Sequence, residues 1–539
     1  MRDMKKVFIK DQAEKLGNGG ISRRQFITSM LAAGVVLPTA MTMATDVLAA
    51  TPKKGGKLRH ASGFGGTTDT FDPSTAANDF TSSVIYTRGN HLTEIGSDGK
   101  LRPELAESFE PADNATKWIF NLRKGVTFHN GKTLTADDVI ASFNIHRGKD
   151  TKSAAKALVT AVKDIKKDGD NRVIFEMEAG NADFPYIVSD YHLMIMSSDG
   201  AGNVNVSAKD NSTGGYIMSD FEAGVRASFK RNPNYWKADS AHFDEVEMLS
   251  VVDPTARQSA MLNGDVDLAD SIDPKTVALL GKVPTLEILE TTGTQHYTFP
   301  MRLDVDPFGN ADLRMALKLA IDRQELVDKI LLGHGVAGND IPVNNAMPFF
   351  NDKIAQRAFD PEKAAEYYKK SGHSGPIKLS VADAAFAGAV DAGQLIAASA
   401  KKAGIDIELV REPNDGYWSN VWNKKGWCAC YWSGRPTQDW MYSSAYTADN
   451  NWNDTAWRST DSAKKFNTVV EQARAETDDA KRQNQYHEAQ QLLHDDGGAI
   501  VAMWANYITA HSKKLAHADQ VAANWQNDGN KLSERWWFA

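Results

Sequence analysis

The eleven-residue stretch Cys430–Trp440, CYWSGRPTQDW, places an arginine and an aspartate among large aromatic residues. Arg435 carries a planar guanidinium that can hold a carboxylate, sulfonate or phosphate through two parallel hydrogen bonds. Trp432 and Trp440 flank it, and such rings can stack on sugars, planar groups or cationic centres. Gly434 allows a sharp turn of the backbone just before the arginine. These residue types fit contact with a small ligand.

Catalytic and metal-binding motifs are not found in the sequence. It contains no H-E-x-x-H, no G-x-S-x-G and no Cys/His cluster at metal-ligand spacing. Cys428 and Cys430 are the two cysteines, and a disulfide across one residue would be strained, so we expect two small buried side chains. We therefore assign no catalytic residue, no metal ligand and no cofactor. The 13 histidines are scattered, and four that stand alone are expected to be structural: His91, His192, His296 and His334.

The first fifty residues indicate export. Ser22-Arg23-Arg24-Gln25-Phe26-Ile27 is a twin-arginine motif, and a modest apolar run over 30–40 follows it. That run is shorter than the roughly 20 apolar residues that a membrane span needs. We expect cleavage near Ala49 or Ala50 and a periplasmic location. Subtracting the seven Lys+Arg and four Asp+Glu of 1–50 from the totals of 61 and 69 leaves a net charge of −11, which argues against nucleic acid and anionic membrane surfaces.

Strand and helix patterns alternate along the whole chain. Lys57–Ala61 and Lys117–Arg123 read as strands, and Val126–His129 reads as a second short strand. A helix over 255–262 ends at an Asn-Gly pair, and a long helix is expected over 312–332. This alternation predicts an α/β fold, and the length of 539 residues predicts roughly three domains.

Several motifs together resemble one family. The matching segments, all printed in the sequence, are Leu105-Ala-Glu-Ser-Phe109, Phe120-x-Leu-Arg-Lys-Gly-Val-x-Phe-His129, Leu134-Thr-Ala-Asp-Asp-Val139, Thr213-Gly-x-Tyr216, Arg231-Asn-Pro-x-Tyr-Trp236, Leu262-x-Gly-x-Val-Asp267 and Arg314-x-Ala-Leu-x-x-Ala-Ile-Asp-Arg323. Their order and spacing resemble the solute-binding proteins of ATP-binding-cassette (ABC) importers, in the family of dipeptide-, oligopeptide- and nickel-binding proteins.

The resemblance implies two hinged lobes around a cleft, with an extra subdomain on the first lobe. The expected limits are 51–95, 215–300 and 506–539 for the first lobe, 96–214 for the subdomain and 301–505 for the second lobe. The implied partners are two permease subunits with their ATPases, and the resemblance favours a monomer at the periphery of the inner membrane. The dense motif over 120–129 would then define the subdomain rather than contact the ligand.

The family pattern also gives Arg435 its significance. In the peptide-binding members, the segment after a strand that ends in Trp carries an acid that pairs with the amino terminus of the peptide; Tyr431-Trp432-Ser433-Gly434 matches the end of that strand, and the acid is expected at the next position. Arg435 stands there instead, which favours a ligand with an anionic group. Two alternatives stay open: Asp439 supplies the acid after a local shift of the loop, or Arg435 is a solvated loop residue that pairs with Asp439.

The remaining site candidates are aromatic or lie near a crossing between the lobes. We expect Trp432 and Trp440 to reach the cleft and the neighbouring tryptophans, at 418, 422, 427, 452 and 457, to pack in the core. Tyr297 and Arg302 are weaker candidates at the crossing into the second lobe. Two other functions are kept as alternatives: a carrier of a nickel-type metal chelate, and a periplasmic enzyme that is exported in the folded state.

Overall fold

The computed structural model describes residues 2–17, 20–33, 35–37, 39–41, 43, 51–476 and 478–539. The cleavage site expected near Ala49 or Ala50 lies outside these residues. The twin-arginine pair begins the helix Arg23–Ala32, where the Ser22 side chain accepts a hydrogen bond from the backbone N–H of Gln25. In this described part of the chain, no helix is long and apolar enough to cross a bilayer.

The largest sheet combines segments from both ends of the chain. Lys57–Ser62 runs parallel to both of its neighbours, whereas the outer pairs are antiparallel. The predicted first strand is therefore confirmed, at the centre of a mixed sheet. In spatial order the strands are Leu286–Thr291, Tyr507–Ser512, Leu268–Ala269, Lys57–Ser62, Glu245–Ser250, Arg226–Arg231 and Tyr216–Glu222.

A second sheet follows where the chain crosses over twice. Its strands, in spatial order, are Gly335–Ala337, Ala499–Ala505, His296–Pro300 and Cys430–Trp432. The chain leaves the large sheet through residues 292–295 and returns through Asn506. The strands on either side of the crossing pair in an antiparallel way. Leu286–Thr291 pairs with Tyr507–Ser512 in the large sheet, and His296–Pro300 pairs with Ala499–Ala505 in the second sheet. His296–Pro300, which the sequence division gives to the first lobe, pairs within this second sheet.

A third sheet and three small pairs complete the β-structure of the described residues. The third sheet has the order Ala106–Ala112, Lys117–Leu122, Arg172–Met177 and Val162–Lys167, and the pairs are Thr93–Ile95 with Leu101–Pro103, Ile377–Val381 with Ile407–Arg411, and Leu515–Ala516 with Trp537–Phe538. The predicted strand from Lys117 is confirmed. The predicted strand over 126–129 is wrong, because this segment forms only an isolated bridge between Thr127 and Thr133 across a turn.

Helices cover these sheets. In chain order the remaining ones are Arg2–Gly17, Asp79–Arg88, Ala136–Asn144, Lys156–Val159, Phe184–Ile187, Tyr191–Leu193 (3₁₀), Pro254–Asn263, Pro274–Leu280, Ala311–Leu319, Arg323–Leu326, Val327–Leu331 (π), Pro361–Ser371, Ala389–Lys401, Tyr417–Asn420, Gln438–Ala445, Asp461–Ala475, Asp479–Asp496, Gln526–Gly529 and Leu532–Arg535. The helix expected over 255–262 is confirmed, and Gly264 ends it in the left-handed conformation.

The long helix expected over 312–332 is corrected to three shorter pieces. The first piece ends at Leu319, and Asp322 then caps the second by accepting a hydrogen bond from the backbone N–H of Glu325. The third piece is a π-turn that ends at Leu332 in the left-handed conformation. An aspartate inside an apolar helical pattern competes for backbone N–H groups and here starts a new helix.

Apolar packing divides the chain in a similar way. One cluster contains buried residues from Phe299 to Ala505, a second is built mainly from residues between Ala76 and Met196, and others lie against the large sheet. Trp440 and Trp525 join the second cluster from distant parts of the chain. The three regions therefore meet around these two rings.

Candidate ligand-binding site

A cavity lies beside this meeting point, between the helix Asp79–Arg88 and the strand Cys430–Trp432. It holds about 450 Å³ of space not filled by protein atoms, part of which is open to solvent. Seven of its thirteen lining residues are aromatic, and one acid and one arginine are among the others. The lining residues are Ala77, Asn78, Asp79, Ser82, Tyr191, Trp418, Trp422, Tyr431, Trp432, Ser433, Arg435, Trp452 and Trp525.

Asp79 forms the acidic part of the wall. It occupies the first turn of its helix, after the N-cap residue Asn78, and its residue exposure is only 5%. Both carboxylate oxygens lie 2.9 Å from the Ser433 hydroxyl, which donates to them across the cavity. Burial raises the pKa of Asp79 to about 7, although the Ser433 hydrogen bond and the charge of Arg435 act in the opposite direction.

The loop that carries Arg435 is fixed by the crossing segments. Gly434 has φ +77°, and a Cβ at this position would lie 2.2 Å from the backbone oxygen of Thr294. The Ser433 carbonyl accepts hydrogen bonds from the hydroxyls of Thr294 and Tyr507. Only glycine allows this close approach with a left-handed backbone. The loop is thus attached to both segments that join the two sheets.

The Arg435 guanidinium is buried among aromatic rings. Its carbon lies 6.0, 5.8 and 5.4 Å from the ring centroids of Trp432, Trp440 and Trp525. Nη1 donates to the Gly434 carbonyl at 2.7 Å, whereas Nε has no hydrogen-bond partner among the described residues. An arginine carries five N–H donors, so most of its hydrogen-bonding capacity is unused by the protein. This guanidinium can grip an anion.

Asp190 is the nearest carboxylate recorded for Arg435. Its Oδ2 lies 3.8 Å from the Arg435 Nε and accepts a hydrogen bond of 3.0 Å from Trp440 Nε1. Its Oδ1 lies 2.6 Å from Nδ1 of His192. Burial alone would raise the pKa of Asp190, but His192 and Arg435 lower it to about 2. Asp190 is therefore an anion that orients Arg435 from outside the cavity.

Asp454 orients two of the cavity tryptophans. Its Oδ2 accepts hydrogen bonds from Nε1 of Trp422 at 3.0 Å and of Trp432 at 3.3 Å. Burial raises the pKa of Asp454 to about 6, although these two hydrogen bonds act to lower it. Both indoles are thereby held by their polar edges, which fixes the orientation of the rings that line the cavity.

Residues 100–454, more than half of the chain, match the family of bacterial extracellular solute-binding proteins, family 5 Middle. The chain belongs to this family. The motifs quoted from the sequence lie largely within the matched region, and the cavity residues from Tyr191 to Trp452 lie inside it as well. The predicted family is therefore confirmed. None of the thirteen lining residues comes from the dense motif over 120–129.

Relatives in the family carry several names. Heme-binding protein A of Haemophilus influenzae is 25% identical over 316 residues, which cover 54% of this chain and 57% of that protein. Di/tripeptide-binding protein 1 of Pseudomonas aeruginosa is 27% identical and covers 56% and 61%. The chain thus spans less than two thirds of the length of these two relatives. The dipeptide-binding protein of Escherichia coli is 24% identical over 521 residues, which cover 88% of this chain and 92% of that protein.

Solved structures show the same fold. AgaA from A. tumefaciens R10, in complex with agropinic acid, has a TM-score of 0.80 at 21% identity and covers 90% of this chain and 99% of that chain. DppA from Helicobacter pylori, in complex with the peptide STSA, has a TM-score of 0.80 at 18% identity and covers 90% and 98%. The predicted α/β periplasmic-binding-protein fold with two lobes is therefore confirmed. The lobe limits themselves stay predictions.

The structure bears on both alternatives for Arg435. The solvated-loop alternative is corrected, because Arg435 is 3% exposed and its recorded ion pair is with Asp190 rather than Asp439. Asp439 is buried and pairs with Arg474, whose Nε lies 2.7 Å from the Asp439 Oδ1. Asp439 does not line the cavity. The acid on the cavity wall is Asp79, which the sequence analysis did not single out.

The tryptophans divide differently from the prediction. Trp432 lines the cavity as expected, but Trp440 is fully buried behind Arg435. Trp418, Trp422 and Trp452, which were expected to pack in the core, form part of the cavity wall. Trp525 also lines it, from a segment with no family motif. The number of tryptophans in a sequence does not indicate which indole rings line a cavity. The hydrogen bonds that fix each ring decide this.

Tyr297 and Arg302 lie away from this cavity. Tyr297 stacks on Phe386 with ring centroids 4.0 Å apart and lines a separate cavity on the other side of the crossing segments. Arg302 pairs with Asp304 at 2.7 Å and donates to Asn423. Neither contacts the loop that carries Arg435, so a ligand role for them is only a prediction.

The two cysteines are buried, and the described residues offer no metal-binding group. Cys428 and Cys430 are buried free thiols, as predicted. Burial raises the pKa of both thiols, which keeps them protonated. In the part of the chain that is described, no group of three or more His, Cys, Asp or Glu side chains is placed to hold a metal ion.

Proposed function

We propose that this protein is the periplasmic substrate-binding component of an ABC importer, and that it traps a small organic ligand, peptide-like or otherwise, through an anionic group. The observation that carries this proposal is the buried Arg435, which lines the aromatic cavity, lies 3.8 Å from the Asp190 carboxylate and makes one hydrogen bond within the described protein, to the Gly434 carbonyl. Family membership supports the binding role. The relatives named for heme and for peptides support a transport role without fixing the ligand.

Contacts across the cavity support a trap that closes on its ligand. Ser433, which follows the strand Cys430–Trp432 of the second sheet, donates a hydrogen bond to Asp79. Asp415 accepts hydrogen bonds from the backbone N–H and the hydroxyl of Thr67. These contacts would break on opening, so ligand binding and closure are coupled. Two permease subunits with their ATPases would then receive the closed form. Export by the twin-arginine route, action as a monomer and the absence of catalysis belong to the same proposal.

The sign of the charge at position 435 decides the ligand class. A buried guanidinium repels an ammonium and attracts a carboxylate, a sulfonate or a phosphate. Juxtaposed like charges in a desolvated site cost several kcal/mol, so a bare cation is excluded from this end of the cavity. Hydrogen bonds from Thr294 and Tyr507 to the Ser433 carbonyl hold the backbone of the loop that carries the arginine.

Native mass spectrometry of the protein purified from the periplasm tests this proposal. The wild type should retain a small anionic molecule that Arg435→Ala loses, and release from the wild type followed by identification would name it. Arg226→Ala is the matched control, because Arg226 pairs with Asp220 on the exposed surface far from the cavity. A mixture of ordinary peptides retained equally by the wild type and Arg435→Ala would overturn the anion requirement.

A further inference from the structure

Four aromatic rings on the cavity wall form a box. Trp422 lies edge-to-face with Trp418, at 5.9 Å and 71°, and with Trp452, at 5.7 Å and 75°. Tyr431 meets Trp418 at 5.2 Å and 78°. Neighbouring rings are therefore nearly perpendicular, so the box can present π-faces from several directions to one bound group. Such an arrangement is the usual binding site for an alkylated ammonium.

The protein's own cations do not fill this box. Arg435 lies over Trp432 and Trp525, and Trp432 adjoins the box, with its ring centroid 6.0 Å from that of Trp422 and 5.9 Å from that of Trp452. Among the described residues, no Lys or Arg lies over the four rings of the box. Trp422 also donates its N–H to the Asp454 carboxylate, which makes its ring more electron-rich and its face more attractive to a cation.

Asp79 adds a carboxyl group to the same cavity, and a ligand cation would favour its ionised form. Its carboxylate is held by the Ser433 hydroxyl, and no basic side chain within 4 Å of it is recorded among the described residues. A buried carboxylate without a cationic partner is costly, and a ligand cation removes that cost. The cavity thus combines the Arg435 guanidinium with a neighbouring carboxyl group at Asp79 and the aromatic box.

The hydrogen-bonding capacity of the wall distinguishes between kinds of cation. A primary ammonium has three N–H donors to satisfy. Most other side-chain oxygens on the wall already take part in hydrogen bonds within the protein, namely those of Asn78, Ser82, Tyr431 and Ser433. The remaining side-chain oxygens on the described wall are those of Asp79, which accept from Ser433, and the Tyr191 hydroxyl, so most of the acceptors that a primary ammonium would need are already engaged. A quaternary ammonium needs no acceptor and fits these walls better.

We infer that the ligand is a zwitterion whose carboxylate binds Arg435 and whose fully alkylated ammonium group lies in the box of Trp418, Trp422, Tyr431 and Trp452, beside Asp79. This inference rests on the proposed function and names its ligand class. A zwitterion with a carboxylate and a fully alkylated ammonium group is a betaine.

Isothermal titration calorimetry with matched compounds tests the charge of the caged group. The probes are trimethylammonio acids, from trimethylammonioacetate to 6-trimethylammoniohexanoate, each with its tert-butyl isostere and its primary-amine homologue. For the butanoate these partners are 5,5-dimethylhexanoate and 4-aminobutanoate. At least one trimethylammonio acid should bind about tenfold or more tighter than both of its partners. Equal or tighter binding of every tert-butyl acid, or of the primary amines, overturns the inference, as does no binding of any trimethylammonio acid.

Variants locate the binding energy. Trp452→Leu should weaken binding of the trimethylammonio acid by about tenfold and binding of its tert-butyl isostere much less, while Trp452→Phe should restore part of the loss. Because two ligands are compared on one variant, general damage to the fold cancels. Equal losses for both ligands would contradict a cation cage. The dipeptide Ala-Ala separates the two proposals: if it binds in an Arg435-dependent way and no trimethylammonio acid binds, the proposed function stands and this inference falls. If no anion depends on Arg435, both fall.

Discussion

Replacing Asp79 with asparagine should remove a pH dependence from the closure of the empty cleft. In the closed structure burial raises the pKa of Asp79 to about 7, and a solvated aspartate has a pKa near 3.8. The closed form therefore binds more protons than the open form between these two values. Closure is most favourable at low pH and becomes less favourable as the pH rises through this window.

The size of the effect follows from the shift. About three pK units at 1.36 kcal/mol each give roughly 4 kcal/mol between the two ends of the window, and water that enters a partly open cleft reduces this value. A few kcal/mol are enough to change the dominant conformation. The Ser433 hydroxyl lies 2.9 Å from the Asp79 carboxylate, and the hydrogen bond between them breaks on opening. In the closed form this hydrogen bond offsets part of the cost of desolvating Asp79.

Small-angle X-ray scattering of the ligand-free protein from pH 5 to pH 8 measures this response. The radius of gyration of the wild type should increase with pH, whereas Asp79→Asn should stay compact at pH 8. Asp164→Asn is the control, because Asp164 is about half exposed on the subdomain surface. A wild type whose radius is independent of pH, or an Asp79→Asn protein that expands as the wild type does, would refute the reasoning. A bound cationic group should also abolish the response, since it stabilises the ionised carboxylate.

Two further changes test ion pairs outside the cavity. Asp340→Ala leaves two buried arginines unpaired in the second lobe and should lower the free energy of unfolding by about 3–5 kcal/mol in urea titration, whereas Asp168→Ala, at an exposed pair, should change it by less than about 0.5 kcal/mol. Arg482→Ala removes the 2.6 Å ion pair to Asp183 that joins the helix Asp479–Asp496 to the subdomain, and it should speed ligand release in stopped-flow displacement by about tenfold. Unchanged release would show that this pair does not hold the cleft closed.

The fold was predictable because its signals are local. The strand at Lys57 and the helix that Gly264 ends are both encoded by patterns and turn residues within a dozen positions. The break at Asp322 was missed, since the apolar pattern continues through it. There the side chain of one residue decides the outcome by capping a new helix.

The site was predictable only where its chemistry lies in one continuous stretch. Arg435 and Trp432 share such a stretch, and its charge departs from the family pattern. Asp79 was missed, because an aspartate in the first turn of a helix is usually a solvated residue that complements the helix dipole. Its burial comes from Ser433, 354 positions away in the sequence. Contacts of that range are set by how the lobes meet, which periodicity does not encode.

The attachment of the Arg435 loop to both crossing segments has a mechanical consequence. Thr294 and Tyr507 belong to the stretches about which the lobes would rotate, so the arginine sits close to the pivot and travels little during closure. The distant rims, where Thr67 meets Asp415, travel furthest. A substitution at position 435 can thus change the charge of the cargo while the rims still present the same closed shape to a permease. The choice of ligand and the docking to a permease are therefore separable in this fold. One importer can acquire a new ligand through substitutions near the hinge alone.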